Sequence, residues 1–127
     1  MKPIAIIGKK GRMARVFEDA LTESSRSYEM LSQQRIENED SLEDELAKCM
    51  GCIDFSVPKV TKTIANACSR VKIPYVCGTT GYEDENERDA QFAAASQVIP
   101  VVWDSNFSLG IELLSQAAEV LAKSLKT

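Results

Sequence analysis

Histidine is absent from the 127 residues, so no imidazole can serve as general base, proton shuttle or metal ligand. Basic charge is not in excess either, with 15 lysines and arginines against 19 aspartates and glutamates and a formal charge of -4. Without a positive field to attract a polyanionic backbone, nucleic acid is not an expected partner. Long hydrophobic runs are missing. The longest apolar stretches, such as Ile4 to Ile7 and Val98 to Trp103, fall far short of the roughly 18 to 20 residues that cross a bilayer, and residues 1–7 lack the apolar region of a signal peptide. No membrane association is expected, and the reading is a cytoplasmic protein. Cysteines number four, and with 44% hydrophobic side chains the chain can build one core without disulfide staples. Cys49, Cys52, Cys68 and Cys77 therefore read as buried free thiols. Cys49-Met50-Gly51-Cys52 has the spacing of half a zinc site or a redox pair, but there is no second such pair, so no metal is expected.

What is present is an alternation of short apolar runs with longer amphipathic ones, the pattern of βαβ units and a mostly parallel sheet in one domain, residues 1–127. Strands are predicted at Ile4 to Ile7, Glu29 to Ser32, Cys52 to Phe55, Tyr75 to Cys77 and Val98 to Trp103. Between them, Arg12 to Leu21 carries Met13, Val16, Phe17, Ala20 and Leu21 on one stripe at helical spacing. Ser41 is a candidate N-cap for a helix through Leu42, Leu46 and Met50. Val60 to Val71, the acidic-led Glu83 to Ala95, and Leu109 to Leu125 complete the predicted helices. Glu37 to Glu45 reads as a solvated loop and helix start. The fold class is Rossmann-like: a doubly wound, mostly parallel sheet with helices on both faces.

Chemistry concentrates where strands end. Gly8-Lys9-Lys10-Gly11-Arg12-Met13-Ala14 follows an apolar strand and opens a helix. In such a turn glycine permits a sharp bend, and unpaired N–H groups at the helix start face an anion. As a dinucleotide fingerprint it is irregular, because Lys10 and Met13 stand where the second and third glycines belong. The alternative is a tight strand-to-helix turn with no ligand. Near the end of the second strand the sequence is Ser32-Gln33-Gln34-Arg35. A carboxylate here would suit the ribose of NAD, and an arginine the 2′-phosphate of NADP. With Arg35 present and no acid, NADP is expected to bind at least as well as NAD, unless Arg35 is simply a surface residue in a loop. Three further segments fall at predicted strand ends: Asp54-Phe55-Ser56-Val57-Pro58, Gly78-Thr79-Thr80-Gly81 and Ser105-Asn106-Phe107-Ser108-Leu109-Gly110. Their hydroxyls, amide and backbone N–H groups suit a nicotinamide carboxamide, and Phe55 or Phe107 suits its ring. Taken singly, Ser56 before Pro58 also fits a helix N-cap region and Gly81 a turn.

In order and separation, Gly-x-x-Gly-Arg-Met, Ile-Asp-Phe-Ser-x-Pro, Gly-Thr-Thr-Gly and Asn-Phe-Ser-x-Gly resemble the cofactor domain of the 4-hydroxy-tetrahydrodipicolinate reductases, across essentially the whole chain. The resemblance implies that Gly8, Lys9, Lys10, Gly11, Arg12 and Met13 hold the pyrophosphate and that Gln34 and Arg35 lie beside the adenosine ribose. It also implies that Gly78, Thr79 and Thr80 meet the nicotinamide side, while Asp104, Ser105, Asn106 and Phe107 close the pocket. The sequence departs from the family at Gln34, which replaces an acid, at Lys9 and Lys10, which replace small residues, and at Ala14, which replaces a glycine. The family's substrate domain, with its paired histidines, nearby lysine and Ser-Gly-Thr segment, is not found in the 127 residues, nor is the final segment that completes the nucleotide domain.

The expected function is therefore that of an NAD(P)H-binding domain of a reductase acting in lysine and diaminopimelate synthesis. No catalytic residue is assigned within the chain, and the small dicarboxylate substrate is expected to bind only with the substrate domain. Alternatives are a stand-alone nucleotide-binding or regulatory module, and a different Rossmann oxidoreductase.

Overall fold

Strands buried on both faces need a helix layer on each, and the chain supplies both. The structure, a computed structural model, describes residues 2–8, 12–31, 36, 39–79, 81–103 and 120. In chain order the elements are β1 (Ile4–Ile7), α1 (Arg12–Glu23), β2 (Tyr28–Leu31), α2 (Glu39–Ala47), β3 (Gly51–Asp54), α3 (Pro58–Val71), β4 (Tyr75–Cys77), α4 (Glu85–Ser96) and β5 (Val101–Trp103). The strands form one all-parallel sheet ordered β2-β1-β3-β4-β5. β1, β3 and β4 are wholly buried, as expected of central parallel strands.

Alternation along the strands divides the core in two. Ala5, Ile7, Cys52, Tyr75 and Cys77 face α2, α3 and α4, which contribute Leu42, Leu46, Ile64, Cys68 and Phe92. Ile4, Ile6, Ile53 and Val76 face α1 through Phe17 and Leu21. This is a Rossmann-like α/β fold with helices on both faces. Arg70 of α3 is ion-paired with Glu43 of α2, so the acidic stretch is partly tied down rather than only solvated.

Several boundaries differ from expectation. The stripe on α1 is narrower: Phe17 and Leu21 are buried, but Val16 is 39% exposed. α2 starts at Glu39, so Ser41 lies inside it. Met50 lies beyond its end, because the Met50 N–H donates to Pro3 O beside β1 at 2.8 Å. Ser56 is not the cap of α3; Val57 is the N-cap residue, and no side chain caps the helix. Val57 is extended, as a residue before proline must be, and Pro58 occupies the first helical position, where no N–H is needed. β5 begins only at Val101, since the N–H groups of Val98 and Ile99 both donate back to Ala95 O in the turn that ends α4. The predicted helix Leu109 to Leu125 lies, apart from position 120, outside the described residues. No helix among the described residues is long and apolar enough to cross a membrane.

Candidate functional site

From β1 the chain winds one way to β2, then crosses back to place β3 on the other side of β1. Loops diverge at such a switch point, leaving a crevice outside the carboxyl ends of β1 and β3. Gly8 and Phe55 flank it. The Phe55 N–H donates to Ile7 O at 2.9 Å, and the Gly78 N–H donates to Asp54 O at 2.7 Å, so the ends of β1, β3 and β4 are held side by side where their loops leave the sheet. The Trp103 indole adds β5 by donating to Thr79 O at 3.2 Å.

A side chain at position 8 would run into the ring of Phe55. The close approach that requires glycine here is therefore made by that ring, which also stacks on Phe17 with centroids 5.6 Å apart. Gly78 and Thr79 lie beside β3 through the main-chain bond to Asp54. Thr79 is buried, and its hydroxyl lies near the Asp54 carboxyl and the Cys77 thiol without completing a hydrogen bond of normal length and angle among the described residues. Of Arg12 and Met13 only the helical backbone is described. Lys9, Lys10, Gly11, Gln34, Arg35, Thr80, Asp104, Ser105, Asn106 and Phe107 lie outside the described residues.

Beneath the crevice lies a polar network that the sequence reading passed over. Asp54 ends β3 with no exposed surface. Its Oδ1 accepts from the Ser56 N–H at 2.9 Å and from the Ser56 hydroxyl at 2.5 Å. Its Oδ2 accepts from the Tyr75 hydroxyl at 2.6 Å, with Cys77 Sγ at 3.9 Å. Burial pushes the Asp54 carboxyl above the usual carboxylate range, against the opposing pull of the Ser56 and Tyr75 hydrogen bonds. Burial, and then the adjacent Asp54 charge, raise the Tyr75 phenol. The network continues as Cys77 Sγ meets Tyr82 Oη at 3.7 Å and Tyr82 Oη meets Thr61 Oγ1 at 2.9 Å. An aspartate closing the buried run Gly51-Cys52-Ile53 was the signal that could have revealed it.

Where the loops leaving β3 and β4 run into their helices, a cleft of about 810 Å³ opens between the first turns of α3 and α4, with Lys59, Lys62, Tyr82, Glu87 and Arg88 in its walls. Val57, Pro58 and Gly81, from the ends of two motif segments, line it, but among the described residues Gly8, Phe55, Gly78 and Thr79 do not. Its most buried cation, Arg88, is already engaged by Asp89 and by the Trp103 ring, 4.2 Å from its centroid. All four cysteines are free and buried. Burial, then the charges of Glu29 and Glu45, push the Cys49 thiol up to about 11, so it carries little of the thiolate that metal binding or thiol exchange requires.

Comparison with known proteins identifies the family. The family profile described as "Dihydrodipicolinate reductase, N-terminus" matches residues 2–107. A 4-hydroxy-tetrahydrodipicolinate reductase of Bdellovibrio bacteriovorus is 31% identical over 119 residues, 94% of this chain and 50% of the relative. One from Campylobacter jejuni is 32% identical over 126 residues, 99% of this chain and 50% of the relative. One from Xanthomonas campestris reaches 47% over 73 residues, 58% of this chain and 30% of the relative. The chain thus spans about half the length of the first two of these relatives and less of the third. On the strength of the match over residues 2–107, the chain, with its all-parallel sheet, belongs to the dihydrodipicolinate reductase N-terminal family.

Proposed function

We propose that the chain binds NAD(P)H in the crevice above β1, β3 and β4 and serves as the cofactor domain of a cytoplasmic 4-hydroxy-tetrahydrodipicolinate reductase in lysine and diaminopimelate synthesis. The observation that carries the reading is that three motif-bearing loops leave the aligned carboxyl ends of β1, β3 and β4 at the switch point of a parallel sheet, where such sheets bind ligands. The fit to a nicotinamide is supported by the Thr79 hydroxyl, a buried group beside Gly78 and the Asp54 carboxyl that makes no hydrogen bond of normal geometry among the described residues. Four unpaired thiols accord with a reducing compartment.

When bound, the cofactor supplies the hydride. The chain's own residues bind and orient it. Gly8, Lys9, Lys10, Gly11, Arg12 and Met13 hold the pyrophosphate at the start of α1, where backbone N–H groups and the helix dipole favour an anion. Gln34 and Arg35 meet the adenosine ribose, with Arg35 beside the 2′-phosphate of NADPH. Gly78, Thr79 and Thr80 face the nicotinamide, Phe55 borders it, and Asp104, Ser105, Asn106 and Phe107 close the pocket.

Titration with NADPH and NADH, followed by calorimetry or fluorescence, tests this. Saturable binding of both is expected, and none at millimolar cofactor would remove the reading. Arg35→Ala should weaken NADPH by about 1.5–3 kcal/mol, the value of a charge-assisted bond, and leave NADH nearly unchanged. Equal losses would mean that Arg35 acts through structure.

A further inference from the structure

Asp54 is the one acidic residue among the described positions with no exposed surface, and no cation pairs with it among those positions. An unpaired buried carboxylate is costly, and an apolar residue of similar size would pack at this strand end more cheaply. Its partners indicate what it does instead. Oδ1 takes both donors of Ser56, closing a turn around Phe55. Oδ2 takes Tyr75 of β4, and the Asp54 carbonyl takes the N–H of Gly78 just past that strand. Asp54 is not a helix cap, because no side chain caps α3.

We propose that Asp54 is the positioning residue of the nicotinamide half of the crevice: it locks the loop carrying Phe55 to the loop carrying Gly78 and Thr79, so that both meet the cofactor in a single arrangement. The proposal rests on the reading of the crevice as a dinucleotide site. Among the described residues the loop leaving β1 meets this lock at Gly8, against the Phe55 ring, so the adenosine and pyrophosphate half is expected to depend on it less. Removing the carboxylate should loosen the nicotinamide end selectively, with the rest of the nucleotide held as before.

The test compares NADH with ADP-ribose, which has the same adenosine and pyrophosphate but no nicotinamide. For Asp54→Leu we expect NADH affinity to fall at least tenfold and ADP-ribose affinity to change less than twofold. Asp54→Asn keeps one oxygen for the Ser56 N–H, and should restore NADH binding to within about threefold of wild type. If Asp54→Leu does not fold, the double variant Ser56→Ala/Tyr75→Phe removes the side-chain donors with little change of shape, and should lose NADH affinity at least threefold with ADP-ribose again unchanged. Undiminished NADH binding in the folded variant, or equal losses of both ligands, overturns the positioning role. Failure of wild type to bind either ligand would instead overturn the dinucleotide reading, and this proposal with it.

Discussion

Gly8 and Phe55 illustrate how one residue's identity is explained by another far along the chain. In the motif, Gly8 reads as a phosphate-turn glycine, whereas in the fold the space beside it belongs to the Phe55 ring. Its conformation is not the left-handed one, since among the described glycines only Gly81 has positive φ. The requirement at position 8 is therefore for space. Gly8→Ala should force the ring off Phe17 and destabilise the protein by about 1–3 kcal/mol, the range for overpacking a close contact. In a Phe55→Ala background most of that loss should vanish. Urea unfolding of the four proteins of this double-mutant cycle measures the coupling. A Gly8→Ala variant as stable as wild type would show that the ring moves aside freely. Asp54 belongs to the same scale. As a letter it was legible within Ile-Asp-Phe-Ser-x-Pro, but its partner Tyr75 lies 21 residues away and nothing local announces the bond.

At the scale of elements, local sequence was an adequate guide to what each segment becomes and a weaker guide to where it stops. β1 and β4 lie where the apolar runs predict them. The ends of α2 and β5 moved because main-chain bonds to Pro3 and Ala95 set them. α4 has the clearest local start signal, Asp84, whose carboxylate accepts from the N–H groups of Asn86 at 2.9 Å and Glu87 at 3.2 Å. Replacing it by alanine should cost about 1 kcal/mol, typical of a lost N-cap, and lower the melting temperature by roughly 2–5 °C. Thermal unfolding followed by circular dichroism checks this. No change in the midpoint would mean that the packing of Phe92 and Ala95 alone holds the helix. α3, lacking any side-chain cap, relies instead on Pro58 and on its buried face of Val60, Thr61, Ile64, Ala65, Ala67 and Cys68.

For the whole molecule, the proposed reaction requires more than a cofactor cradle. Hydride transfer needs the electrophilic carbon held about 3–3.5 Å from the nicotinamide, and that positioning supplies several kcal/mol of the barrier. A small dicarboxylate must be clamped by convergent cationic or hydrogen-bonding groups, and the 127 residues contain no histidine to assist. Assayed by itself with NADPH and substrate, this polypeptide should therefore turn over at background rate even when saturated with cofactor. Measurable NADPH oxidation that tracks the purified chain would mean that a second copy or another surface does the clamping.

The sequence by itself determined the α/β class, the parallel sheet, the buried free thiols and the family, because strand runs, helical stripes and short motifs are local patterns. Tertiary structure alone decided the order β2-β1-β3-β4-β5, the packing of Phe55 on Gly8, and the carboxylate of Asp54 held by Ser56 and Tyr75 beneath the crevice. These features join residues on different strands and loops. Their energies come from space excluded and hydrogen bonds completed only when the sheet assembles, and no periodicity along a chain encodes which strand will lie beside which.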